Sequence, residues 1–170
     1  MKQNGMYALD FHGPALMHGD LAYLHARQYV DRIVALCFLP DVSRVSTKMI
    51  ERQGRRFENA DVTLLIVASG SQPLHRMWIG QRSKPSTPVL ADSCGRLHRL
   101  FGVAIVEPAR RCHTFVTDRM GVLRLCVSHD FVERDLTVLQ NLIVSSQSYK
   151  TDGRVGDITR VRARAACQSG

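Results

Sequence analysis

The sequence is poor in the features that mark membrane and secreted proteins. Its 170 residues include one tryptophan and 6% aromatic side chains, and its longest apolar run is the seven-residue segment Ile33–Leu39. Such a run is far too short to cross a bilayer, which takes about 20 apolar residues. Residues 1–6 contain no apolar segment of the kind that a secretory signal requires. We therefore expect a soluble, cytoplasmic protein.

The sequence also lacks the spacings of metal and disulfide sites. The five cysteines form no CxxC pair, and the seven histidines form no HExxH or comparable ligand pair. Without a signal peptide, the thiols are expected to be reduced. Cys37 and Cys126 lie in strand-like runs and are predicted to behave as small buried hydrophobic side chains. We predict neither a metal site nor a cofactor.

Positive charge is present in excess but is not concentrated. The net charge is +8, carried by 19 arginines and only four lysines against 15 acidic residues, and +3 of it lies in Lys150–Gly170. A surface that binds nucleic acid is expected to combine clustered charge with aromatic side chains that stack on bases. The aromatic residues of this chain do not accompany its arginines. A solvated arginine-rich surface with a basic tail is therefore favoured over nucleic-acid binding, which stays the weakest of our functional hypotheses.

Periodicity and punctuation predict alternating strands and helices. Buried strands are indicated where apolar, β-branched runs end at proline or glycine, and helices where apolar residues recur every three or four positions. The predicted strands are 31–39, 61–69, 89–90, 113–117 and 122–128, and the predicted helices are 46–58, 72–81, 94–101 and 132–145. This order favours an α/β fold, a three-layer sandwich in which helices flank a mixed central sheet, as in thioredoxin-like proteins. We predict one domain over 1–147 and a basic, flexible tail over 148–170.

Five strings in the same order resemble the peroxiredoxins, the family of alkyl hydroperoxide reductase and thiol-specific antioxidant proteins. The strings are ALDFHGPALMHGDLAYL (8–24), VALCFLPDVSRVSTKM (34–49), SQPLHRMWI (71–79), TPVLADSCGRLHRLFGV (87–103) and HTFVTDRMGVLR (113–124). They are similar to the entrance segment, the proline loop with its active-site helix, a serine–histidine–tryptophan segment, the "LAD…YGV" segment and the "TFV" strand pair of that family. The resemblance implies a thioredoxin-like fold and thiol-dependent reduction of hydroperoxides.

The resemblance also assigns positions to a catalytic site. With one residue missing after Pro40, the family's threonine or serine falls on Ser43 and its peroxidatic cysteine on Ser46. Without that gap, the two positions would be Arg44 and Thr47, which fit less well. The family's active-site arginine is nearest to Arg111, with Arg110 as the other candidate.

Serine at this position removes the expected chemistry. A cysteine at a helix N-terminus beside an arginine is held as a thiolate, the form that attacks the O–O bond of a peroxide. Ser46 is an alcohol and lacks that nucleophile. Three explanations stay open: an engineered Cys→Ser change, a naturally degenerate family member, which we favour, and a serine that only caps a helix.

Two other thiols are candidates for a redox role. Cys94 lies where a helix is predicted to begin, and Cys167 lies in the tail, where relatives with two cysteines carry a resolving cysteine. The resemblance implies a peroxide substrate, a thiol reductant such as thioredoxin, and a homodimer or larger homo-oligomer. The alternative is a non-catalytic thioredoxin-fold protein that binds or regulates partners through a subunit interface.

Overall fold

A computed structural model describes residues 11–40, 45–69, 86–105 and 111–148, together with the backbone of 159–161. The strands are β1 (His12–Met17), β2 (Asp20–His25), β3 (Ile33–Leu39), β4 (Val62–Ser69), β5 (Val89–Asp92), β6 (Cys112–Thr117), β7 (Leu123–His129) and β8 (Thr159–Val161). The helices are α1 (Thr47–Glu58), α2 (Arg96–Phe101) and α3 (Glu133–Ser148), and a short 3-10 helix spans Ala26–Tyr29.

All eight described strands belong to one mixed sheet, in the order β2-β1-β5-β4-β3-β6-β7-β8. Strands β3, β4 and β5 run parallel, with Ile33 opposite Val62 and Ile66 opposite Val89. Strand β6 runs antiparallel to β3, and β7 antiparallel to β6. Since parallel neighbours need a crossover, α1 makes the connection from β3 to β4.

The sheet is covered on both faces, which explains why β3 is apolar along its whole length. Side chains of β3 alternate between two core clusters, with Cys37 in one and Phe38 in the other. The first cluster contains residues of α1 and α3, and the second contains residues of α2. The chain is therefore a three-layer sandwich, and the predicted α/β thioredoxin-like class is confirmed.

Helices α1 and α3 are joined to each other on their shared face of the sheet. Glu133 of α3 accepts from Arg52 at 2.9 Å and from Arg56 at 3.1 Å, both on α1. The Gln140 side-chain amide donates to the backbone carbonyl of Arg56. Exposed ion pairs of this kind contribute only about 0–1 kcal/mol each, so the position of α1 on the sheet is set mainly by its buried residues Ile50 and Phe57. This in turn fixes the position of the α1 N-terminus.

The predicted elements match the structure where they fall on described residues. The five predicted strands correspond to β3 to β7, and the helices predicted over 46–58, 94–101 and 132–145 to α1, α2 and α3. The helix predicted over 72–81 lies outside the described residues. The main difference is at the α2 start, which the sequence placed at Cys94 and the structure places at Arg96.

Two parts of the sheet were not predicted. The hairpin β1–β2 turns at His18 and Gly19, which both have positive φ values (53° and 82°), as in the type I′ turns of two-residue hairpins. Gly13 and Pro14 break the strand pattern of β1 in the sequence. Strand β8 lies within the predicted tail and pairs in parallel with β7. The domain boundary at 147–148 stays a prediction. Among the described residues, no helix combines the length and the apolar character that a membrane span demands.

Candidate active site

Pro40, Ser46 and Arg111, which belong to the predicted site, lie at one end of the sheet. Strands β3, β4 and β5 end there, while the antiparallel β6 begins there and β7 ends there. Open α/β sheets commonly bind their ligands at the carboxyl ends of their parallel strands. Pro40 directly follows β3 at this end and is half-buried. Ser43 and Cys167 lie outside the described residues.

Ser46 is the N-cap of α1. Its backbone is extended (φ −71°, ψ 145°), and its Oγ accepts from the backbone N–H of Met49 at 3.2 Å. The Ser46 carbonyl accepts the first helical hydrogen bonds, from the N–H groups of Met49 and Ile50. The side chain is exposed at the positive end of the helix dipole, the environment in which a thiol becomes a thiolate. The hydroxyl is therefore well placed, but it serves as a cap.

Arg111 lies at the same end of the sheet, immediately before β6. Its Nε is 3.8 Å from the Asp130 Oδ1, and the two side chains are 43% and 51% exposed. A long, exposed ion pair of this kind contributes little to stability. The contact with Asp130 therefore constrains the guanidinium only weakly.

A buried polar cluster lies just inside this end of the sheet, on the face covered by α1 and α3. We call it the thiol–histidine cluster, and its members are Cys37, Cys112, Thr114 and His129. In the strand register, Thr114 is opposite Cys37 and Cys112 is opposite His129, so the four side chains share one face. All four are at most 3% exposed. No disulfide joins the cysteines that the structure describes.

The hydrogen bonds of this cluster define the state of its histidine. His129 Nδ1 is 2.8 Å from the backbone carbonyl of Asp130. A carbonyl can only accept, so Nδ1 carries a proton. The other nitrogen, Nε2, is 2.7 Å from the Thr114 Oγ1. Nε2 is therefore the nitrogen that can gain or lose a proton toward the thiols.

The two thiols of the cluster have opposite pKa shifts. The pKa of Cys37 is lowered to about 5, because a hydrogen bond from Cys112 outweighs burial and further hydrogen bonds come from His129 and Thr114. The pKa of Cys112 is raised, by its hydrogen bond to Cys37 and by burial. Burial disfavours the charged form of His129, but its interactions with Cys37 raise its pKa nonetheless. Hydrogen bonding within the cluster therefore opposes the effect of burial on the pKa of Cys37 and adds to it at Cys112.

Sequence reasoning missed this cluster. It correctly placed Cys37 in the core, but as an inert hydrophobic side chain, and it gave Cys112 and His129 no role. Cys126 is half-buried, so its predicted role as a small buried hydrophobic side chain is confirmed only in part. The cluster depends on which strands are neighbours and in which register, and the local pattern contains neither. One signal for the cluster was available in the sequence. Cys112 and Thr114 are two residues apart on a predicted strand, so their side chains lie on the same face of the sheet.

Cys94 is exposed and precedes Gly95, the N-cap of the six-residue α2. The Asp92 carboxylate occupies the start of this helix. Its Oδ2 accepts from the backbone N–H of His98 at 2.9 Å and contacts the His98 Nδ1 at 2.6 Å. The Asp92 carboxylate therefore binds an N–H group of the helix start that could otherwise have lowered the pKa of a thiol there. A redox role for Cys94 stays a prediction.

A cavity of about 790 Å³ lies at the opposite end of the sheet, where β3 and β4 begin. Arg119 crosses its wall and bonds to the Asp61 carboxylate and, at 3.1 Å, to the Asp31 carbonyl. Asp31 and Asp61 both have positive φ values, 65° and 59°. These contacts hold two tight turns together, and we assign this cavity no part in the chemistry. Among the described residues, no group of three or more His, Cys, Asp or Glu side chains is arranged to hold a metal ion.

No protein-family model matches the sequence, and no curated protein is significantly similar to it. Solved structures do match. Thioredoxin peroxidase I of Plasmodium yoelii aligns with a TM-score of 0.71 and 16% identity over 98% of this chain and 99% of its own. AhpC of Enterococcus faecalis aligns with a TM-score of 0.65 and 18% identity over 91% and 96%. The reduced 2-Cys peroxiredoxin of Plasmodium vivax aligns with a TM-score of 0.65 and 15% identity over 84% and 94%. The predicted resemblance is thus confirmed for the fold: the chain has the thioredoxin-like fold of the peroxiredoxins.

Proposed function

We propose that the protein is a peroxiredoxin-type antioxidant oxidoreductase, which reduces hydroperoxides at the expense of thiols, and that Ser46 occupies the position of the missing peroxidatic cysteine. The observation that carries the proposal is a fold shared with peroxiredoxins over nearly the whole chain. Within that fold, a hydroxyl stands at the α1 N-terminus, at the end of the sheet where Arg111 also lies. Both features support the proposal, because a reactive thiolate is stabilised by a helix N-terminus and by a nearby arginine.

Ser46 itself does not supply the nucleophile. Its hydroxyl stays protonated near neutral pH, and it is already engaged as the acceptor for the Met49 N–H. Any reduction of peroxide by the natural chain therefore has to use one of its remaining thiols. The external reductant is a small or protein dithiol of the thioredoxin type.

The Ser46→Cys variant tests whether this site is otherwise intact. A thiol at the N-terminus of α1 is expected to have a pKa of about 3.5–7.5, and it would be largely ionised at neutral pH. We expect the variant to consume hydrogen peroxide, with excess dithiol, at least about tenfold faster than the natural chain. Ser46→Ala is the matched control and should leave the slower rate of the natural chain unchanged.

Two results would contradict the proposal. One is the absence of peroxide consumption above the dithiol blank in both the natural chain and Ser46→Cys. The other is a Ser46→Cys thiol that titrates as an ordinary exposed cysteine, near 8.5.

A second candidate function is a non-catalytic protein that acts through a subunit interface. It is favoured by the outer face of β2, where the apolar side chains of Leu21 and Tyr23 are 67% and 55% exposed. Strand β2 is at the edge of the described sheet, so its outer backbone groups are open to pairing.

A further inference from the structure

Two histidines stand side by side on the outer surface of the β1–β2 hairpin. His12 of β1 and His25 of β2 are directly opposite in the strand register, and Tyr23 lies next to them on the same face. The three exposed rings contact one another: the histidine centroids are 5.8 Å apart, and that of Tyr23 is 5.1 Å from His25 and 6.1 Å from His12. We call these three residues, together with Arg96 of α2, the hairpin histidine site.

The hydrogen bonds of His12 show which of its nitrogens carries a lone pair. Its Nε2 is 2.8 Å from the Arg96 Nη1, and a guanidinium can only donate, so Nε2 is unprotonated. Its Nδ1 therefore carries the proton and donates to the Tyr23 hydroxyl at 2.8 Å. In a histidine that binds a metal, one nitrogen likewise offers its lone pair while the other donates a hydrogen bond that fixes the ring. Arg96 thus occupies the place that a metal ion would take on His12.

The ring of His25 also presents a nitrogen that accepts. It faces the backbone N–H of Gln28 in the capping box of the 3-10 helix, and the Gln28 Oε1 accepts from the His25 backbone N–H at 2.9 Å. A ring nitrogen that accepts from an N–H has to be unprotonated. Each of the two opposed histidines therefore holds a lone pair that is engaged only by a donor at the protein surface.

We propose that His12 and His25 together bind one divalent transition-metal ion of the kind that prefers imidazole, such as Ni²⁺, Cu²⁺ or Zn²⁺, with water completing its coordination. The proposal does not depend on the proposed function. Metal–nitrogen bonds of about 2.1 Å place each ring centre about 3.2 Å from the ion, so two imidazoles on one ion stand about 5–6 Å apart. The observed separation of 5.8 Å already meets this requirement.

The Arg96 side chain competes with the ion. It has to leave the His12 Nε2, because it would otherwise fill the ligand position and repel the cation. Arg96 is exposed, as are both histidines, so its guanidinium can turn into solvent and the ion can enter without any opening of the core. We therefore expect Arg96 to lower the affinity of the site and its removal to raise it.

Metal binding at this site should stabilise the edge of the sheet. His12 and His25 are far apart in the sequence and meet only when β1 and β2 pair in the observed register. An ion that binds the folded chain in preference to the unfolded chain raises the stability of the fold. No spacing in the sequence indicates this pair of ligands, because it depends on a hairpin that was not predicted.

Calorimetric titration of the full chain with Ni²⁺ tests the proposal. Ni²⁺ is suited to imidazole ligands, whereas Zn²⁺ would also be drawn to the thiols of this chain. We expect one ion to bind per chain. His12→Gln and His25→Gln should each weaken binding at least about tenfold, since each removes one of two protein ligands. Arg96→Ala should tighten binding at least about threefold, because it removes the competing cation.

Two matched controls come from the same chain. His18→Asn removes an exposed histidine from the turn of the same hairpin, and asparagine tolerates the positive φ of 53° there. Cys94→Ser removes the exposed thiol. Each should change the affinity for Ni²⁺ less than about twofold. In thermal unfolding, Ni²⁺ should raise the Tm of the natural chain and of both controls, but not that of His12→Gln or His25→Gln. Circular dichroism checks that every variant is folded.

Three results would overturn the proposal. One is no binding of Ni²⁺ by the natural chain at millimolar concentration. Another is binding that persists unchanged in both His12→Gln and His25→Gln, or that is lost in Cys94→Ser, since other groups would then hold the ion. The third is an Arg96→Ala chain that binds Ni²⁺ no more tightly, which would contradict the assignment of the His12 Nε2 as a ligand. None of these outcomes affects the Ser46→Cys test of the proposed function.

Discussion

Asp92 is a buried carboxylate that joins a strand to the helix that follows it. It ends β5, is buried, and bonds to both the backbone and the ring of His98. Burial alone would raise its pKa, but hydrogen bonds from the His98 ring and from the first-turn N–H groups of α2 lower it. His98 in turn packs edge-on against Phe38, with ring centroids 5.0 Å apart. One ionised group therefore connects the end of β5 to α2 and to the central strand.

We expect Asp92 to make the protein sensitive to acid. A pKa that is lower in the folded than in the unfolded protein adds stability above about pH 4, the unfolded value, and this stability is lost as the pH falls through the folded value. Asp92→Asn should lower the free energy of unfolding at pH 7 by about 1–3 kcal/mol and flatten its decline below pH 4. Urea unfolding at a series of pH values measures both effects.

Asp20→Asn is the control for Asp92→Asn, because Asp20 is an exposed carboxylate at the start of β2. It should change neither the stability at pH 7 nor the acid limb by more than about 0.5 kcal/mol. An Asp92→Asn protein with the same acid limb as the natural chain would show that the carboxylate contributes nothing in the folded state.

Single residues could be predicted from the sequence only where their role is local. Ser46 precedes a helical pattern, and its capping role follows from that position. Gly121 lies in the turn before β7, where glycine is the residue expected to adopt a positive φ, and its φ is 74°. The position of Cys37 opposite Thr114 was not predictable in this way. It requires β3 and β6 to be neighbours, and this is decided by the packing of the whole sheet.

Helix α1 contains a glycine, Gly54, whose presence is explained by a tertiary contact and not by helix propensity. Glycine has low helix propensity, so Gly54 on its own should weaken the helix predicted over 46–58. In the structure, a Cβ at position 54 would stand 1.8 Å from the Thr87 Oγ1. Glycine therefore lets α1 approach the segment that leads into β5. The loss of helix propensity is the cost of this close contact.

We predict that Gly54→Ala destabilises the protein although it improves the helix propensity. Alanine is favoured over glycine in a helix by about 1 kcal/mol, but overpacking against Thr87 should cost about 1–3 kcal/mol. Adding Thr87→Ala removes the nearest atom and should recover a large part of the loss. Denaturant unfolding of the two single variants and the double variant measures the coupling.

Gly13→Ala is the control for this prediction, because a Cβ there would meet nothing within 4 Å. It should be neutral or stabilise the fold by up to about 1 kcal/mol. If Gly54→Ala proves as stable as the natural chain, α1 does not depend on close contact with Thr87.

Strands and helices with a regular residue pattern could be predicted from the sequence, whereas a hairpin that depends on a special turn could not. Strands β3 and β4 are continuous apolar runs, and α3 has a clear apolar face, so both kinds of element were predicted with nearly correct bounds. The β1–β2 hairpin depends on a turn at His18 and Gly19 and on a strand that contains Pro14. Proline is tolerated at position 14 because β1 pairs with β5 only at Ala15 and Leu16, so one side of Pro14 lies outside any ladder.

The whole molecule has two unlike sheet edges. At one edge, β8 pairs with β7 and covers its backbone groups. At the other edge, β2 has no further described neighbour, and the outer face of this strand presents Leu21 and Tyr23. An open edge with apolar side chains is the part of a sheet that most readily pairs with another chain. If the protein associates with a second copy, we expect contact at β2 and not at β7.

Leu21→Lys tests that expectation. A charged side chain on an edge strand opposes pairing between chains, so we expect the variant to shift the protein toward monomer by at least about tenfold in dissociation constant. Sedimentation velocity over a concentration series measures this shift. Met120→Lys is the control, since Met120 is 79% exposed in the β6–β7 turn and should leave association unchanged. Equal association of both variants would exclude β2 as the contact.

The complete burial of β3 has a consequence for how the protein can be followed in solution. All seven side chains of this strand are buried, and it lies between β4 and β6. A bulky thiol reagent can reach the Cys37 sulfur only when the centre of the sheet opens, whereas Cys94 is exposed at all times. Under conditions where the sheet recloses faster than labelling occurs, the ratio of the two labelling rates equals the fraction of molecules that are open. Labelling of Cys37 thus reports how often the sheet opens, and Cys94 of the same chain serves as the reference thiol.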